Sequence, residues 1–292
     1  MKAMERQHPT AVCVYFMCVL LPAIFSINPV TAGLCFFSGA ATLYLLDREK
    51  WGRTAVFSCG AVLVSGLLNP LFNHNGKTVL FFLNRNPVTL EATLYGLIMG
   101  FMIGSALIWG RCFTRVMDTD RLMTVMSGLN PKVSLVCSMA LRYIPLLRLQ
   151  AGSIREAQEG LGLLREDNGP DRIRSAVRRF DGLTTWGLEN GVVMADSMTA
   201  RGYGSGRRTR YRLHPWESKD TLWTACSLIL AAAVAGGLIS GAIRYEWMPE
   251  MKRPEAGQLS GCLYGLYTIL CLAGAAEEIT DRIRWNSLRS RI

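Results

Sequence analysis

The densest group of residues able to do chemistry runs from Met194 to Gly204 and continues into Arg207-Arg208-Thr209-Arg210. A helical pattern closes there in Ala200-Arg201-Gly202: a small residue, a fixed positive charge, and a glycine suited to the left-handed turn that ends many helices. A guanidinium at a helix end can pair in bidentate fashion with a carboxylate in a receptor groove, while small neighbours let two backbones approach. The chemistry is recognition rather than bond-making. By position alone, Arg201 better suits an ordinary cation on the inner side of a membrane.

The remaining constellations do not amount to catalytic sites. Gly76-Lys77-Thr78 has the end of a phosphate-binding loop, but the glycine required five residues before Gly76 is Leu71, so the Walker pattern fails. Gly202, Gly204 and Gly206 have the wrong spacing for a dinucleotide fingerprint, and no strand is expected before them. His8, His74 and His214 stand apart from one another and from paired carboxylates. The nine cysteines are scattered through apolar runs without a CxxC pair, which reads as small buried residues rather than zinc ligands. We expect no cofactor, no metal and no enzymatic activity in this chain.

What must position the Arg201 tip is set by hydropathy. Half of the 292 residues are hydrophobic and 18% are charged, with a mean hydropathy of +0.21; soluble domains carry about a quarter charged residues. Crossing a bilayer core takes roughly 17–25 apolar residues. Six stretches qualify or nearly so: Ala11–Ile27, Val30–Leu46, Thr54–Phe72, Ala92–Trp109, Thr221–Ile243 and Leu259–Ala276. Asn28-Pro29 is expected to make a tight turn between the first two, and no cleavable signal is evident. Placing both termini in the cytoplasm puts 27 of the 32 Lys and Arg residues on the inner side and 5 in the two outer loops, as the positive-inside rule requires. The formal charge of +10 is thus a topological signal whose partner is anionic lipid, not nucleic acid. No isolated charge falls in the middle of a span, which argues against a charged substrate site at mid-membrane.

The expected fold is all-α: a polytopic bundle of about six spans with a cytoplasmic arm of two helices. Residues 1–132 hold the N-terminal spans, 133–220 the arm, and 221–292 a C-terminal membrane hairpin and basic tail. Within the arm, Val133–Leu149 is apolar enough to pack against the bundle, although Arg142, Pro145 and Arg148 argue against spanning. Pro145 is expected to kink or end a helix near Tyr143. Leu149–Leu164 reads as a helix, Asp167-Asn168-Gly169-Pro170 as a turn, and Arg172–Arg179 as a basic amphipathic segment. A second helix is expected over Leu183–Ala200, with Gly202 as its cap. Glu189 and Asp196 are seven residues apart and share a face; they are either solvated or paired with Arg142 or Arg148 to lock the arm.

The residues around Arg201 resemble the T component of energy-coupling factor (ECF) transporters, the vitamin- and metal-importing (cobalt included) branch of the ABC transporters. Ala195-Asp196-Ser197-Met198-Thr199-Ala200-Arg201-Gly202-Tyr203 is close to that family's second coupling tip, and this motif is specific. Ile154-Arg155-Glu156-Ala157-Gln158 is similar to the approach to its first tip, and Ser138 to Pro145 to its helix-to-proline segment. Asn69-Pro70-Leu71-Phe72 and Gly76 to Phe81 are similar to its third span and outer loop.

The resemblance implies that two cytosolic ABC ATPase subunits hydrolyse ATP. It further implies that this chain's two arm helices sit in grooves on those subunits and pass the motion to a membrane-embedded substrate-binding S component. Ala200, Arg201 and Gly202 would form one tip, and Gly160, Leu161 and Gly162 the other. Arg142, Pro145, Gln158 and Asp196 would orient the arm. One departure stands out: the family's first tip usually reads small-Arg-small, whereas Leu161 occupies the middle position here. Either Arg155 or Arg165 substitutes, or that tip engages mainly by apolar contact. The rival readings are a conventional ABC permease lining its own substrate path, and a membrane scaffold with a basic arm.

Overall fold

The computed structural model describes residues 3–73, 76, 78–83, 86–163, 168–206, 215–241, 243, 245 and 257–289. His74, Lys77, Arg165, Arg207 to Arg210 and His214 lie outside them. The helices are α1 (Ala3–Arg6), α2 (Pro9–Phe25), α3 (Pro29–Leu46), α4 (Arg48–Phe72), α5 (Leu90–Val116), α6 (Thr119–Leu129), α7 (Pro131–Gly160), α8 (Gly169–Ala200), α9 (Ser218–Ile239) and α10 (Gln258–Arg289). The chain forms two compact units, one of residues 1–122 with 214–292 and one of residues 123–213.

Helix starts are written locally in the sequence. His8, Asn28 and Asn130 each precede a proline at the first helical position, and each side chain accepts from the backbone N–H two residues on. Proline suits that place because its missing donor would go unused there and its φ is already helical. The Asn28-Pro29 turn is therefore also the cap of α3. Asp47 and Thr89 cap α4 and α5 through the N–H groups of Lys50 and Ala92.

In the first unit, α3, α4, α5, α9 and α10 are long and apolar enough to cross a membrane. The protein is an all-α, multi-pass membrane protein. The first expected span, α2, has 17 residues and reaches about 25 Å at 1.5 Å per residue, the short end for a span. The outward faces of α4 and α9 carry exposed Val56, Phe57, Leu67, Phe72, Leu222 and Ile229, apolar surface that water would disfavour and acyl chains accept.

The core of this unit forms around Trp109, which is fully buried with Tyr15 and Phe16 edge-on to it. Its indole Nε1 donates to the carbonyl of Cys35 at 3.0 Å, tying α5 to α3. Tyr267 donates to the Val19 carbonyl, and Tyr15 to that of Cys271. These bonds join α2 to α10 where no water competes. Arg121 is buried as well: its guanidinium donates to the carbonyls of Val116 at 2.8 Å and Gln7 at 2.7 Å. It therefore closes the end of α5 against the N-terminal segment, a role its place among the inner-side cations did not suggest.

One element was not expected. Part of the outer loop folds as a two-stranded antiparallel hairpin, β1 (Val79–Leu83) and β2 (Asn86–Thr89), with Phe82 opposite Pro87. Buried Glu91, at the start of α5, accepts hydrogen bonds from the backbone N–H and the hydroxyl of Thr78. The run Val79-Leu80-Phe81-Phe82-Leu83 carried the signal, being an apolar stretch with β-branched Val79 and aromatic Phe81 and Phe82, bounded by polar residues.

The second unit holds α7 and α8, and here three expectations are corrected. Pro145 does not end a helix, because α7 continues unbroken from Pro131 to Gly160. A proline removes one donor, and the following Leu146-Leu147-Arg148-Leu149-Gln150-Ala151 are strong helix formers that carry the helix on. The two expected segments Val133–Leu149 and Leu149–Leu164 are thus one helix, which ends before Leu164. Arg172–Arg179 and Leu183–Ala200 likewise merge into the 32-residue α8.

Candidate functional site

The ends of α7 and α8 are built alike. At the end of α7, Leu161 is the C-cap at φ −85° and ψ 0°, and Gly162 follows at φ +67°. At the end of α8, Arg201 is the C-cap at φ −82° and ψ 6°, and Gly202 follows at φ +76°. The hydrogen bonds repeat as well. Leu163 N–H donates to the Gln158 carbonyl and Gly162 N–H to that of Glu159. Tyr203 N–H donates to the Met198 carbonyl and Gly202 N–H to that of Thr199. Both are Schellman caps, in which a left-handed glycine lets the chain turn back onto the helix's last carbonyls.

The pairing of Leu161 with Arg201, which only the family resemblance implied, is therefore also a structural equivalence. The expected site residues Gly160, Leu161, Gly162, Ala200, Arg201 and Gly202 are all solvent-exposed, with Leu161 73% exposed. No neighbouring group lies where a Cβ on Gly160 or Gly162 would project. Among the described residues Arg201 has no ion pair, so its guanidinium remains available to a carboxylate on another molecule. One tip thus offers a cation and the other an aliphatic side chain on the same backbone scaffold. Arg155, a candidate substitute for the missing cation, is engaged elsewhere in an ion pair with Glu159 at 2.8 Å. Arg165, the other candidate, lies outside the described residues.

Among the orienting residues, Gln158 contributes its carbonyl to the first cap. Arg142, Pro145 and Asp196 are exposed along their helices. Of the two readings of Glu189 and Asp196, the solvated one holds: among the described residues no ion pair joins either to Arg142 or Arg148. All four are exposed, where a pair adds only about 0–1 kcal/mol and does not hold two long side chains together. α7 and α8 meet instead where Ile154 packs beside Gly182 and Arg178 donates to the Leu163 carbonyl at 3.4 Å.

The capping glycines give a direct test. Gly202→Ala forces an L-residue into the left-handed region, and the strain of about 1–2 kcal/mol falls on the last turn of α8. Hydrogen exchange of the amides of Gly202 and Tyr203 is expected to quicken about tenfold with the spans unaffected. Gly162→Ala should do the same at the end of α7.

No family model matches the chain. It is 26% identical over 233 residues, 73% of its length and 85% of the relative's, to the energy-coupling factor transporter transmembrane protein EcfT of Streptococcus equi subsp. equi (strain 4047). A similar match, 28% identical over 259 residues, covers 81% of this chain and 92% of the protein of that name from Listeria innocua serovar 6a. The protein of the same name from Bacillus selenitireducens is 30% identical over 176 residues, covering 53% of this chain and 66% of that one.

Proposed function

Because the chain belongs to the family of energy-coupling factor transporter transmembrane proteins, the T components of those transporters, we propose that it transmits ATP-driven motion to a substrate-capturing membrane partner. The tips at Leu161 and Arg201 each seat in a groove on a cytosolic ABC ATPase subunit, a helix-in-groove contact. ATP hydrolysis belongs to those subunits. The arm, residues 133–220, passes the motion to an S component held beside the spans of residues 1–132 and 221–292. Vitamins or metal ions are the cargo class, chosen by the S component. The distribution of Lys and Arg favours a topology with both termini and the arm in the cytoplasm.

The observation that carries this reading is the pair of identically capped, exposed helix ends, one with a guanidinium that has no ion pair among the described residues. A mechanical coupler needs contact points fixed to stiff rods, and each tip terminates a helix of 30 residues or more. Purification from native membranes in mild detergent tests it: two ATPase polypeptide positions and a small membrane protein are expected to accompany the chain. A preparation that contains neither would favour the scaffold. Transport by the chain and ATPases without an S component would favour the self-sufficient permease.

The unlike tips suggest unlike grooves, an acidic one for Arg201 and an apolar one for Leu161. Leu161→Arg is then expected to weaken ATPase recovery, because an unpaired guanidinium would be desolvated in an apolar groove. If the variant instead raised recovery or transport, the second groove would be acidic too and the apolar assignment would fall.

A further inference from the structure

The first half of α8 is amphipathic in an inverted sense. At about 100° per residue, Ile173, Val177 and Phe180 fall on one narrow stripe, and all three are at least 60% exposed. The opposite side faces inward: Ser175 is 3% exposed, Gly182 packs on Ile154, and Arg178 reaches the Leu163 carbonyl. A helix built for water alone would carry its apolar stripe on the inward side.

Charge brackets this stripe. Arg172 and Arg174 stand on either side of Ile173, both exposed and neither in an ion pair among the described residues. Between Asp171 and Asp181 the sequence has four arginines against those two aspartates. From there to Arg201 it has no Lys or Arg, although Leu188 and Val192 are exposed too. Basic and apolar residues therefore coincide only in the first half of the helix.

We propose that this first half of α8 is an interfacial anchor on an anionic lipid surface. Ile173, Val177 and Phe180 enter the boundary between headgroups and acyl chains. Arg172 and Arg174 lay their aliphatic stems along that boundary and place their guanidiniums on lipid phosphates. Lipid suits this stripe better than a protein groove does. A groove that covered three side chains would desolvate both flanking guanidiniums and need a carboxylate for each, whereas an anionic leaflet offers phosphates at that depth on both sides. The spans already tether the chain to a bilayer, so the local lipid concentration is high without a separate binding event. The anchor would steady one arm helix at its root and leave the Arg201 end free to move. The inference goes beyond the coupling reading and stands or falls separately from it.

Hydrogen exchange on the full-length chain tests it, in nanodiscs of phosphatidylcholine with and without phosphatidylglycerol. Phosphatidylglycerol is expected to slow amide exchange across residues 172–181 about thirtyfold, from two arginines at the surface, and to leave residues 188–198 unchanged. The double variant Arg172→Gln/Arg174→Gln keeps good helix formers and should exchange like wild type in phosphatidylcholine alone, while losing the response to phosphatidylglycerol. Phe180→Ser should weaken protection in both lipids. Equal exchange of the wild-type segment in the two lipids would overturn the proposal. Slowing that needed added ATPase or S component, and came equally in either lipid, would overturn it in favour of a protein surface.

Discussion

Arg201→Glu is expected to strip ATPase subunits from the complex recovered from membranes, lowering their yield about thirtyfold or more. Breaking one partner of a desolvated, hydrogen-bonded charge pair costs about 2–5 kcal/mol, where 1.4 kcal/mol is about tenfold in affinity. The reversal also sets two carboxylates face to face in the groove. The fold should not suffer, because the cap of α8 uses backbone groups: Arg201 N–H donates to the Ser197 carbonyl and Gly202 N–H to that of Thr199, and the Arg201 side chain is exposed. Arg201→Lys should fall between wild type and Arg201→Glu, since an ammonium keeps the charge and loses the two-pronged geometry. The readout is the ATPase-to-chain ratio after affinity purification, with monodispersity of the chain as the folding control. Wild-type recovery by Arg201→Glu would remove this residue as the anchor.

Much of this geometry was legible in advance, and the pattern of successes has a physical basis. Among the described residues, hydropathy located the five helices long and apolar enough to cross and the shorter apolar α2, because bilayer thickness imposes a length that few soluble segments reach. The cap at Gly202 was legible because a helix stop is a local event, set by one left-handed residue. What escaped depends on partners distant in sequence. Arg121 looked like any other inner-side cation, and only the fold brings the carbonyl of Gln7, far off in sequence, to it. Whether Glu189 and Asp196 were solvated or paired stayed open for the same reason: shared helix faces say which residues align, not how far apart two helices stand. Pro145 shows a different limit. An interior proline removes a donor and clashes with the preceding turn, which reads as a kink or an end. Of these, α7 excludes the end by running on to Gly160.

Gly100→Leu is expected to have the largest effect on folding of any single substitution in the spans. Gly96, Gly100 and Gly104 recur at four-residue steps, which places them on one face of α5 and allows close packing by small residues. A Cβ on Gly100 would lie 2.7 Å from the Val62 Cα and 2.8 Å from the Val62 carbonyl oxygen. Those are backbone atoms of α4, with no rotamer that moves them aside. Overpacking a core typically costs about 1–3 kcal/mol, and a whole leucine at a backbone contact should exceed that range. Separating the helices also stretches the bonds from Ser65 to the Gly96 carbonyl at 3.0 Å and from Asn69 to the Ala92 carbonyl at 2.6 Å. Gly60→Leu is the control, since nothing lies within 4 Å of a Cβ there and its side chain would meet lipid. Size-exclusion chromatography in detergent should show aggregate or no recoverable protein for Gly100→Leu, and a wild-type profile for Gly60→Leu. A monodisperse, thermally normal Gly100→Leu would mean that α4 and α5 are not held at backbone contact. The stiffness that the proposed coupling role requires would then have to come from the Trp109 core instead.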